Sequence, residues 1–406
     1  MKFTKSIAVA LGLAGFMAFK EYKPVPVKAA LQAAQVHLAS MAQANTDVTK
    51  YPRSTKKDGA IATTSSRDWT SGFYPGSLWY MYDYTKNKKW ETLARQWTAG
   101  LAREQHNKGT HDLGFMLFCS FGNGYRLTQD PAYKDIIIQG AKSLSSRFNE
   151  KTGSIRSWDH NRDKWQFPVI IDNMMNLEML FWATKATGDS TYYHIANTHA
   201  LTTLKNHFRP DNSSYHVVDY DPNTGAVRAR QTHQGYADES AWARGQAWGL
   251  YGYTVAYRET RDKRFLAQAQ KIADFFIGHK NLPADKIPYW DFNAPKIPNE
   301  PRDASAAAIA ASGMLELSQY SGKKGDVYKQ TAAQMLSSLA SPAYLAKAKT
   351  NNNFVLMHST GHLPGNSEID VPLNYADYYF VEGLIRYERL NKGTRIISTG
   401  GALTAK

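Results

Sequence analysis

The carboxyl group of Asp172 lies in the stretch FPVIIDNMMNLEML, which covers residues 167–180. Three apolar residues precede it, and two methionines follow shortly after it. A carboxyl group among apolar neighbours is desolvated, which raises its pKa and favours the protonated form near neutral pH. The stretch therefore predicts that Asp172 is a general acid.

A second carboxyl group, Asp112, follows His111 and begins the apolar run HDLGFMLF. Asp303 and Asp377 also lie near predicted helix starts, where Asp is a preferred N-cap because its oxygen accepts a backbone N–H. We expect capping or scaffold roles for those two residues. Asp112 and Asp172 have different surroundings and are the candidates for catalysis.

The segment WARGQAW places Trp242 and Trp248 on either side of Arg244 at a predicted helix start. The two rings could simply wedge between helices, but the cation between them favours ring stacking together with a carboxylate contact. The same interpretation covers Trp69 and Trp158. These residues indicate an acidic sugar as the ligand.

The loop before this helix also supplies His216, His233 and Gln234, and each of them alone is weak evidence for a site. The histidines of the chain fall in different loops without an H-x-x-x-H or H-E-x-x-H pattern, so no metal site is predicted. The sequence also lacks the G-x-S-x-G, P-loop and G-x-G-x-x-G patterns, which argues against a serine hydrolase and against nucleotide cofactors. We expect no cofactor.

The composition favours a large globular protein that acts on acidic sugars. The 406 residues are 43% hydrophobic, which suffices for a substantial core. Aromatic residues reach 13%, and many lie in polar, glycine-containing stretches that suit stacking on sugar rings. The net charge of +14 favours polyanions, but Lys and Arg are scattered without an arginine-rich run. Nucleic acid is therefore not expected as a partner.

The N-terminus has the pattern of a signal peptide. Two lysines precede an uncharged segment from Ser6 to Phe19, which is short for a membrane span. We expect residues 1–25 to be a signal peptide or an N-terminal anchor, and the protein to be exported to the periplasm without stable membrane insertion after processing. The single cysteine, Cys119, cannot form an internal disulfide and is expected to be an inert core thiol.

Repeated turns predict the fold. YTKNKKW, LTQDPAY, ATGDSTYY, ETRDKRF, YSGKKGDVYK and RLNKG each end a helix, and all but the last lead into an amphipathic run. The repeated unit is a helical hairpin. Twelve helices are predicted, near residues 28–43, 74–85, 89–106, 112–127, 131–148, 172–187, 190–207, 241–259, 262–280, 303–320, 324–346 and 375–390.

The first and last of these helices have no hairpin partner in sequence and can pair with each other. The sequence thus predicts an all-α (α/α)6 barrel of six hairpins closed by the N-terminal helix. An open solenoid is the rival, but it would need polar capping repeats at its ends. We assign residues 26–392 to one catalytic domain and residues 393–406 to a flexible tail, and the oligomeric state is left open. The long loops precede the even-numbered helices and should meet at one mouth of the barrel.

Six stretches together resemble glycoside hydrolase family 88, the unsaturated glucuronyl hydrolases. They are DWTSGFYPGSLW, HDLGFM, IIDNMMNLEMLFWA, THQGYADESAWARGQAWGLYGY, RDASAAAIAASGMLEL and NSEIDVPLNYADYYFVEGLIRY, and they occur in order between about residues 28 and 390. The family is an (α/α)6 barrel, in agreement with the hairpin pattern. The resemblance implies removal of the Δ4,5-unsaturated uronic acid from the non-reducing end of acidic oligosaccharides that a lyase has produced.

The resemblance also implies residue roles. Asp172 would be the general acid and base, and Asp112 would steer the proton and bind sugar hydroxyls. Arg244 would hold the substrate carboxylate. The residues that would contact the unsaturated ring and the attacking water are His216, Gln234 and Arg244. The residues that would line the pocket are Trp69, Trp158, Trp242 and Trp248. His111 and His233 match the family pattern without a defined role.

Three alternatives remain open at this point. A polysaccharide lyase would need a Tyr or His base for the C5 proton, and a non-catalytic binding protein would not need a desolvated Asp172. Unsaturated rhamnogalacturonyl hydrolases are a closer rival, against which the intact THQGYADESAWARGQAW argues. Chondroitin, hyaluronan, heparin, heparan and ulvan fragments all carry the required terminus. The loop HSTGHLPGNSEIDVP is expected to set the preference among them and the tolerance for sulfate.

Overall fold

The computed structural model describes residues 24–397. Twelve α-helices are present in that part of the chain: α1 (Val27–Ala44), α2 (Phe73–Thr85), α3 (Lys88–Ala99), α4 (Asn123–Thr128), α5 (Pro131–Ser145), α6 (Leu177–Thr187), α7 (Ser190–Asn206), α8 (Ala243–Thr260), α9 (Lys263–Gly278), α10 (Ala304–Ser318), α11 (Lys323–Leu339) and α12 (Asn374–Asn391). A π-helix over Gly114–Gly122 leads directly into α4. Each predicted helix corresponds to one of these elements, although the predicted helices 89–106 and 324–346 end early, at Ala99 and Leu339. The predicted helix 172–187 begins late, at Leu177, after a 3₁₀ helix over Ile171–Asn176 that contains Asp172.

An inner ring consists of α2, the π-helix with α4, α6, α8, α10 and α12. Residues Ala304–Leu317 of α10 and Ala243–Ala256 of α8 are buried without interruption. A helix that is buried on all sides lies inside a protein. Each inner helix contacts the next one in this order, and α12 contacts α2 again. These contacts close the ring.

The remaining helices form an outer layer. Contacts join α3 to α2, α5 to the π-helix, α7 to α6, α9 to α8 and α11 to α10. The N-terminal helix α1 packs against α12 and α2, as predicted for the helix that closes the barrel. The fold is therefore the predicted (α/α)6 barrel, and α1 does not project away from it.

The repeated turns have a common local structure. In four of the hairpins the inner helix ends on a residue with left-handed backbone geometry, and the next residue is an Asn or Asp that caps the outer helix by accepting a backbone N–H two positions later. These pairs are Lys86 with Asn87, Gln129 with Asp130, Gly188 with Asp189, and Arg261 with Asp262. The turn motif therefore stops one helix and starts the next within two residues.

Short strands, which the sequence did not predict, organise the long loops. Antiparallel pairs join β1 (Tyr51–Thr55) to β2 (Ile61–Thr64), β3 (Phe148–Asn149) to β4 (Ser154–Ile155), and β8 (Ser359–His362) to β9 (Ser367–Val371). A three-stranded sheet has the order β5 (Pro168–Ile170), β6 (Val217–Tyr220), β7 (Val227–Gln231). Strands of two to five residues give too short an alternation to distinguish them from loops.

The ends of the chain extend beyond the described residues. The predicted signal peptide lies outside them except for its last two positions, and so does the tail after Ile397. Within the described part of the tail, Ile396 is buried. None of the helices between residues 24 and 397 combines the length and the apolar character that a membrane span requires.

Candidate active site

The candidate site lies where the loops before the inner helices meet. A cavity of about 210 Å³ is lined by five predicted site residues, Trp69, Trp158, His233, Gln234 and Arg244. These residues come from the loops before α2, α6 and α8 and from the first turn of α8. The N-termini of inner helices therefore face this end of the barrel, where their dipoles favour a negatively charged ligand.

Strand pairing places Asp172 beside this cavity. β5 pairs with β6, and the backbone N–H of Ile171 donates to the carbonyl of His216 at 3.1 Å. As a result, Nε2 of His216 lies 3.8 Å from Oδ2 of Asp172. Asp172 is 8% exposed, and burial raises its pKa to about 7, although the charge of Arg244 opposes the shift. The direction of this shift agrees with the expectation from its apolar neighbours.

The second carboxyl group is also desolvated. Oδ1 of Asp112 lies 3.1 Å from Nε2 of His111, and Thr110 Oγ1 donates to its Oδ2 at 3.3 Å. Burial raises the pKa of Asp112 to about 8, and the nearby charge of Asp172 adds to the rise. Both carboxyl groups can therefore carry a proton near neutral pH.

A close contact between two segments brings these carboxyl groups together. The backbone N–H of Phe115, at the start of the π-helix, donates to Oδ1 of Asn176 at 3.0 Å. A Cβ atom on Gly114 would lie 2.7 Å from the Cα atom of Asn176, so only glycine permits this approach. The Asp112 and Asp172 segments are thereby held against each other at the base of their loops.

The ring of Trp158 joins the carboxyl groups to the cavity. Its centroid lies 6.5 Å from that of His111, 6.2 Å from that of His216 and 5.5 Å from that of His233. His216 also stacks beside Trp242 at 4.6 Å. Trp158 is therefore a neighbour of three of the predicted site histidines at the barrel mouth.

The guanidinium group of Arg244 is occupied mainly by protein groups. It forms a buried ion pair with Asp303 at 2.8 Å and donates to the carbonyl oxygens of Thr360 and Gly361 at 2.6 and 2.5 Å. Only its Nε has no partner among the described residues. Asp303 also caps α10, as predicted. Arg244 thus ties α8 to α10 and β8 at the wall of the cavity.

Two of the predicted pocket tryptophans lie behind that wall. Trp248 is fully buried against Phe115 and Tyr379, with ring centroids 5.0 and 5.5 Å apart. Trp242 is 3% exposed and lies under the guanidinium of Arg244 at 4.6 Å. Neither lines the cavity. Trp242 supports Arg244, which does, whereas Trp248 packs on residues of the core.

Several residues of the site were not identified from the sequence. Arg53 of β1 lines the cavity and pairs with Glu368 of β9 at 2.6 Å. His362 of β8 bonds to the carbonyl of His233 at 3.0 Å and also lines the cavity, with His160 and Tyr375. Arg53 gave no sequence signal because β1 was not predicted. His362 on β8 and Glu368 on β9 lie in the loop that is expected to set the substrate preference.

A larger cavity, of about 780 Å³, lies at the other end of the barrel. None of the predicted site residues lines it, and its buried charges are paired with one another. Arg258 bonds to Glu316 at 3.0 Å, and Arg386 bonds to Glu382 at 3.2 Å. Among residues 24–397, no three His, Cys, Asp or Glu side chains converge as metal ligands would.

An (α/α)6 barrel with two desolvated carboxyl groups beside an aromatic cavity has the groups that a glycosidase of the helical-barrel class requires. The sequence comparison identifies the family within this class. Residues 40–264 match Glycosyl Hydrolase Family 88, and the chain belongs to that family.

Relatives extend over most of the chain. An unsaturated glucuronyl hydrolase of Formosa agariphila is 51% identical over 344 residues, which cover 84% of this chain and 85% of that protein. An unsaturated chondroitin disaccharide hydrolase of Streptococcus agalactiae is 32% identical, covering 83% of this chain and 86% of its own. The crystal structure of an unsaturated glucuronyl hydrolase specific for heparin superposes with a TM-score of 0.88 at 50% identity, covering 90% of this chain and 98% of that one.

Proposed function

We propose that this glycosidase removes the Δ4,5-unsaturated uronic acid from the non-reducing end of acidic oligosaccharides by hydrating the C4–C5 double bond. The observation that carries the proposal is Asp172, a buried carboxyl group whose pKa is raised to about 7 beside a second buried carboxyl group, Asp112. Such a group can be an acid in one step and a base in the next. The relatives named for unsaturated glucuronyl and chondroitin substrates support the same activity.

The reaction needs one group that gives a proton and then takes one. Protonated Asp172 donates to C4, and the alkene electrons form the new C4–H bond, leaving an oxocarbenium centre at C5 that the ring oxygen stabilises. Water adds to C5, and the Asp172 carboxylate accepts the proton that this water loses. The product is a hemiketal at C5, which opens to a ketone and releases the remaining glycan from C1. No group of the protein attacks C1, so the carboxylate separation does not set a stereochemical outcome.

The surroundings of the cavity suit a uronate. The cavity presents the rings of Trp69 and Trp158, which can stack on a sugar, and the cations Arg53 and Arg244. Arg244 is already bonded to protein groups, and its contribution is therefore positive potential and a fixed wall. A direct contact between Arg244 and the substrate carboxylate uses the N–H groups that these bonds leave free, on Nε and Nη2.

The glycan beyond the cleaved bond contacts the loop that carries β8 and β9. His362, Ser367 and Glu368 of this loop line the cavity. Chondroitin, hyaluronan, heparin, heparan and ulvan fragments are the candidate substrates, and this loop is the part of the site positioned to discriminate among them. A panel of lyase-generated disaccharides with and without sulfate ranks them by kcat/KM.

One assay tests the proposed function. The absorbance of the conjugated alkene should fall when the protein is mixed with an unsaturated glucuronyl disaccharide. A rise on intact polysaccharide would instead identify a lyase, and an unchanged signal with measurable binding would identify a binding protein. Faster turnover of an unsaturated rhamnogalacturonyl disaccharide would transfer the assignment to that related family.

We also propose that the protein is exported to the periplasm. The support is the charged start and uncharged run of residues 1–25. Fractionation of a Gram-negative host that expresses the full chain should recover activity from the periplasm. N-terminal sequencing of that material determines whether the segment is cleaved or kept as an anchor, and recovery of the unprocessed protein in the cytoplasm would contradict export.

A further inference from the structure

The guanidinium group of Arg53, on β1, is held between two carboxylates at the edge of the cavity. Its Nε and Nη2 donate to Oε1 and Oε2 of Glu368 at 2.6 and 3.1 Å, which is a bidentate contact. Its Nη1 donates to Oδ2 of Asp68 at 2.5 Å. Arg53 and Glu368 both line the cavity. Because two carboxylates face one guanidinium, this wall of the cavity has a net negative charge.

The backbone brings Glu368 to Arg53. Ser54 of β1 bridges to Leu373, just after β9, so β1 lies beside the β8–β9 hairpin. Glu368 has a φ of 53°, in the left-handed region that residues other than glycine and asparagine rarely adopt. Its side chain lies against Gly361 of β8, where a Cβ atom would be 2.4 Å from Oε2 of Glu368. The contact with Arg53 therefore depends on an uncommon backbone geometry and on a glycine beside it.

Arg244 is the other arginine among the described residues that line the cavity, and none of these residues is a lysine. Arg244 is paired with Asp303 at 2.8 Å, and its free N–H groups are those that suit the uronate carboxylate. Burial lowers the pKa of His233 to about 4 and also lowers the pKa of His362, so neither ring adds a positive charge at neutral pH. Each arginine of the cavity is therefore already paired with a carboxylate.

We propose that Glu368 masks Arg53 and thereby selects against a sulfate group on the sugar beyond the cleaved bond, so that the preferred substrates are unsulfated at that sugar. A sulfate ester is negatively charged at every pH at which the enzyme would act. It would meet the carboxylate of Glu368 while Arg53 is occupied, and like charges placed against each other weaken binding. This selection rests on the proposed hydrolysis and specifies its substrate.

A purely structural role for the pair makes a different prediction. If Arg53 and Glu368 only fasten β9 to β1, breaking the pair should impair sulfated and unsulfated substrates alike. Masking predicts instead that the two kinds of substrate respond differently. The ratio of their kcat/KM values therefore separates the two roles.

The parent protein provides the first measurement. Unsaturated disaccharides with the chondroitin backbone and with the heparan backbone are each used with and without one sulfate on the amino sugar, and kcat/KM is measured from the loss of alkene absorbance. On both backbones we expect the unsulfated form to be favoured about tenfold or more. Equal or faster turnover of the sulfated forms would overturn the proposal while leaving the hydrolase function intact. Hydrolysis of none of them would instead refute the proposed function.

Glu368→Gln removes the masking charge and keeps the size of the side chain. Arg53 then retains only Asp68 as a carboxylate partner, and the ratio of sulfated to unsulfated kcat/KM should rise on the order of 10-fold. Asp370→Asn is the matched control, since Asp370 lies on the same strand with a φ of 54° but is exposed and contacts His358 at 2.6 Å. It should leave the ratio unchanged. A parallel loss on both kinds of substrate in Glu368→Gln would show that the pair only fastens the hairpin.

A second background tests whether Arg53 is the group that Glu368 masks. In an Arg53→Gln protein, Glu368→Gln uncovers no cation, so the rise in the ratio should be much smaller than in the parent background. An equal rise in both backgrounds would overturn the masking of Arg53. Circular dichroism identifies variants that do not fold, and the comparison of substrates with the parent protein then decides.

Discussion

Replacement of Asp172 by Asn should affect the activity and the stability of the protein in opposite directions. Asn has nearly the same size, but it can neither give a proton to C4 nor take one from water. Both halves of the hydration should therefore fail, and kcat should drop by about 10²–10⁴-fold, the usual contribution of a positioned general acid or base. Binding should persist, because Trp69, Trp158 and Arg244 are unchanged.

The effect on stability follows from the raised pKa of Asp172. Its pKa rises from 3.8 to about 7 on folding, a difference of about 3 units, which corresponds to about 4 kcal/mol. Between these two values the folded protein binds more protons than the unfolded chain, so stability falls as the pH rises through this window. The full cost is present above pH 7 and is absent below about pH 4.

Asp172→Asn removes this cost, although its amide brings N–H groups that also need partners. We expect a gain of about 1–4 kcal/mol at pH 8, which corresponds to roughly 1–5 °C in Tm for a protein of this size, and little change at pH 4. Thermal unfolding at both pH values measures the gain, and alkene absorbance with calorimetry measures turnover and binding. The exposed Asp135 is the control, because Asp135→Asn should change none of these quantities appreciably.

Near-parental turnover by the Asp172→Asn variant would show that Asp172 is not the general acid, and Asp112 would then be the candidate for that role. Loss of stability at both pH values would show that the carboxyl group is not held in an unfavourable site. Loss of binding in a folded variant would make Asp172 a substrate contact. Each of these outcomes would refute a separate step of the reasoning.

Three further results are expected. Because Asp172 must be protonated to act, kcat/KM should be highest at acidic to neutral pH and should fall about tenfold per unit above an apparent pKa near 7; a rate that increases through this range on an unsaturated disaccharide would contradict this. Asp303→Ala leaves the buried cation of Arg244 without its carboxylate and should destabilise the protein by about 3–5 kcal/mol in urea unfolding, whereas a loss below about 1 kcal/mol would show that the pair is unimportant. A Cβ atom on Gly72 would overlap a backbone carbonyl of the π-helix, so Gly72→Ala should lower the free energy of unfolding by about 1–3 kcal/mol or more. Gly278 faces open space, so Gly278→Ala should not lower it. Equal free energies of unfolding for the two variants would contradict the close packing at Gly72.

The helices and their pairing were predictable because they depend on neighbours in sequence. The period of apolar residues marks a helix, and the turn motifs combine the end of one helix with the cap of the next, as at Gly188 and Asp189. The raised pKa of Asp172 was also predictable, since the apolar residues that desolvate it are its immediate neighbours. Closure of the ring followed from the number of hairpins.

The partners of the site residues depend instead on contacts between distant loops. Arg244 meets Asp303, 59 positions further along the chain, and the carbonyls of β8, which no local pattern specifies. Trp248 was expected to face the ligand, but the ring of inner helices places it inside the core. A side chain's outward or inward direction depends on where neighbouring helices pack.

The proton positions are the finest feature that only the tertiary structure decided. The sequence identified His111 and His216 as site residues but not which nitrogen of each ring carries a proton. The carbonyl oxygen of Ser157, 46 positions away in sequence, faces Nδ1 of His111. The backbone N–H groups of His233 and Gln234 face Nδ1 of His216 instead. Hydrophobic periodicity and capping act over a few residues, so they are encoded locally, whereas a hydrogen-bond partner is defined only when folded loops bring two backbones together.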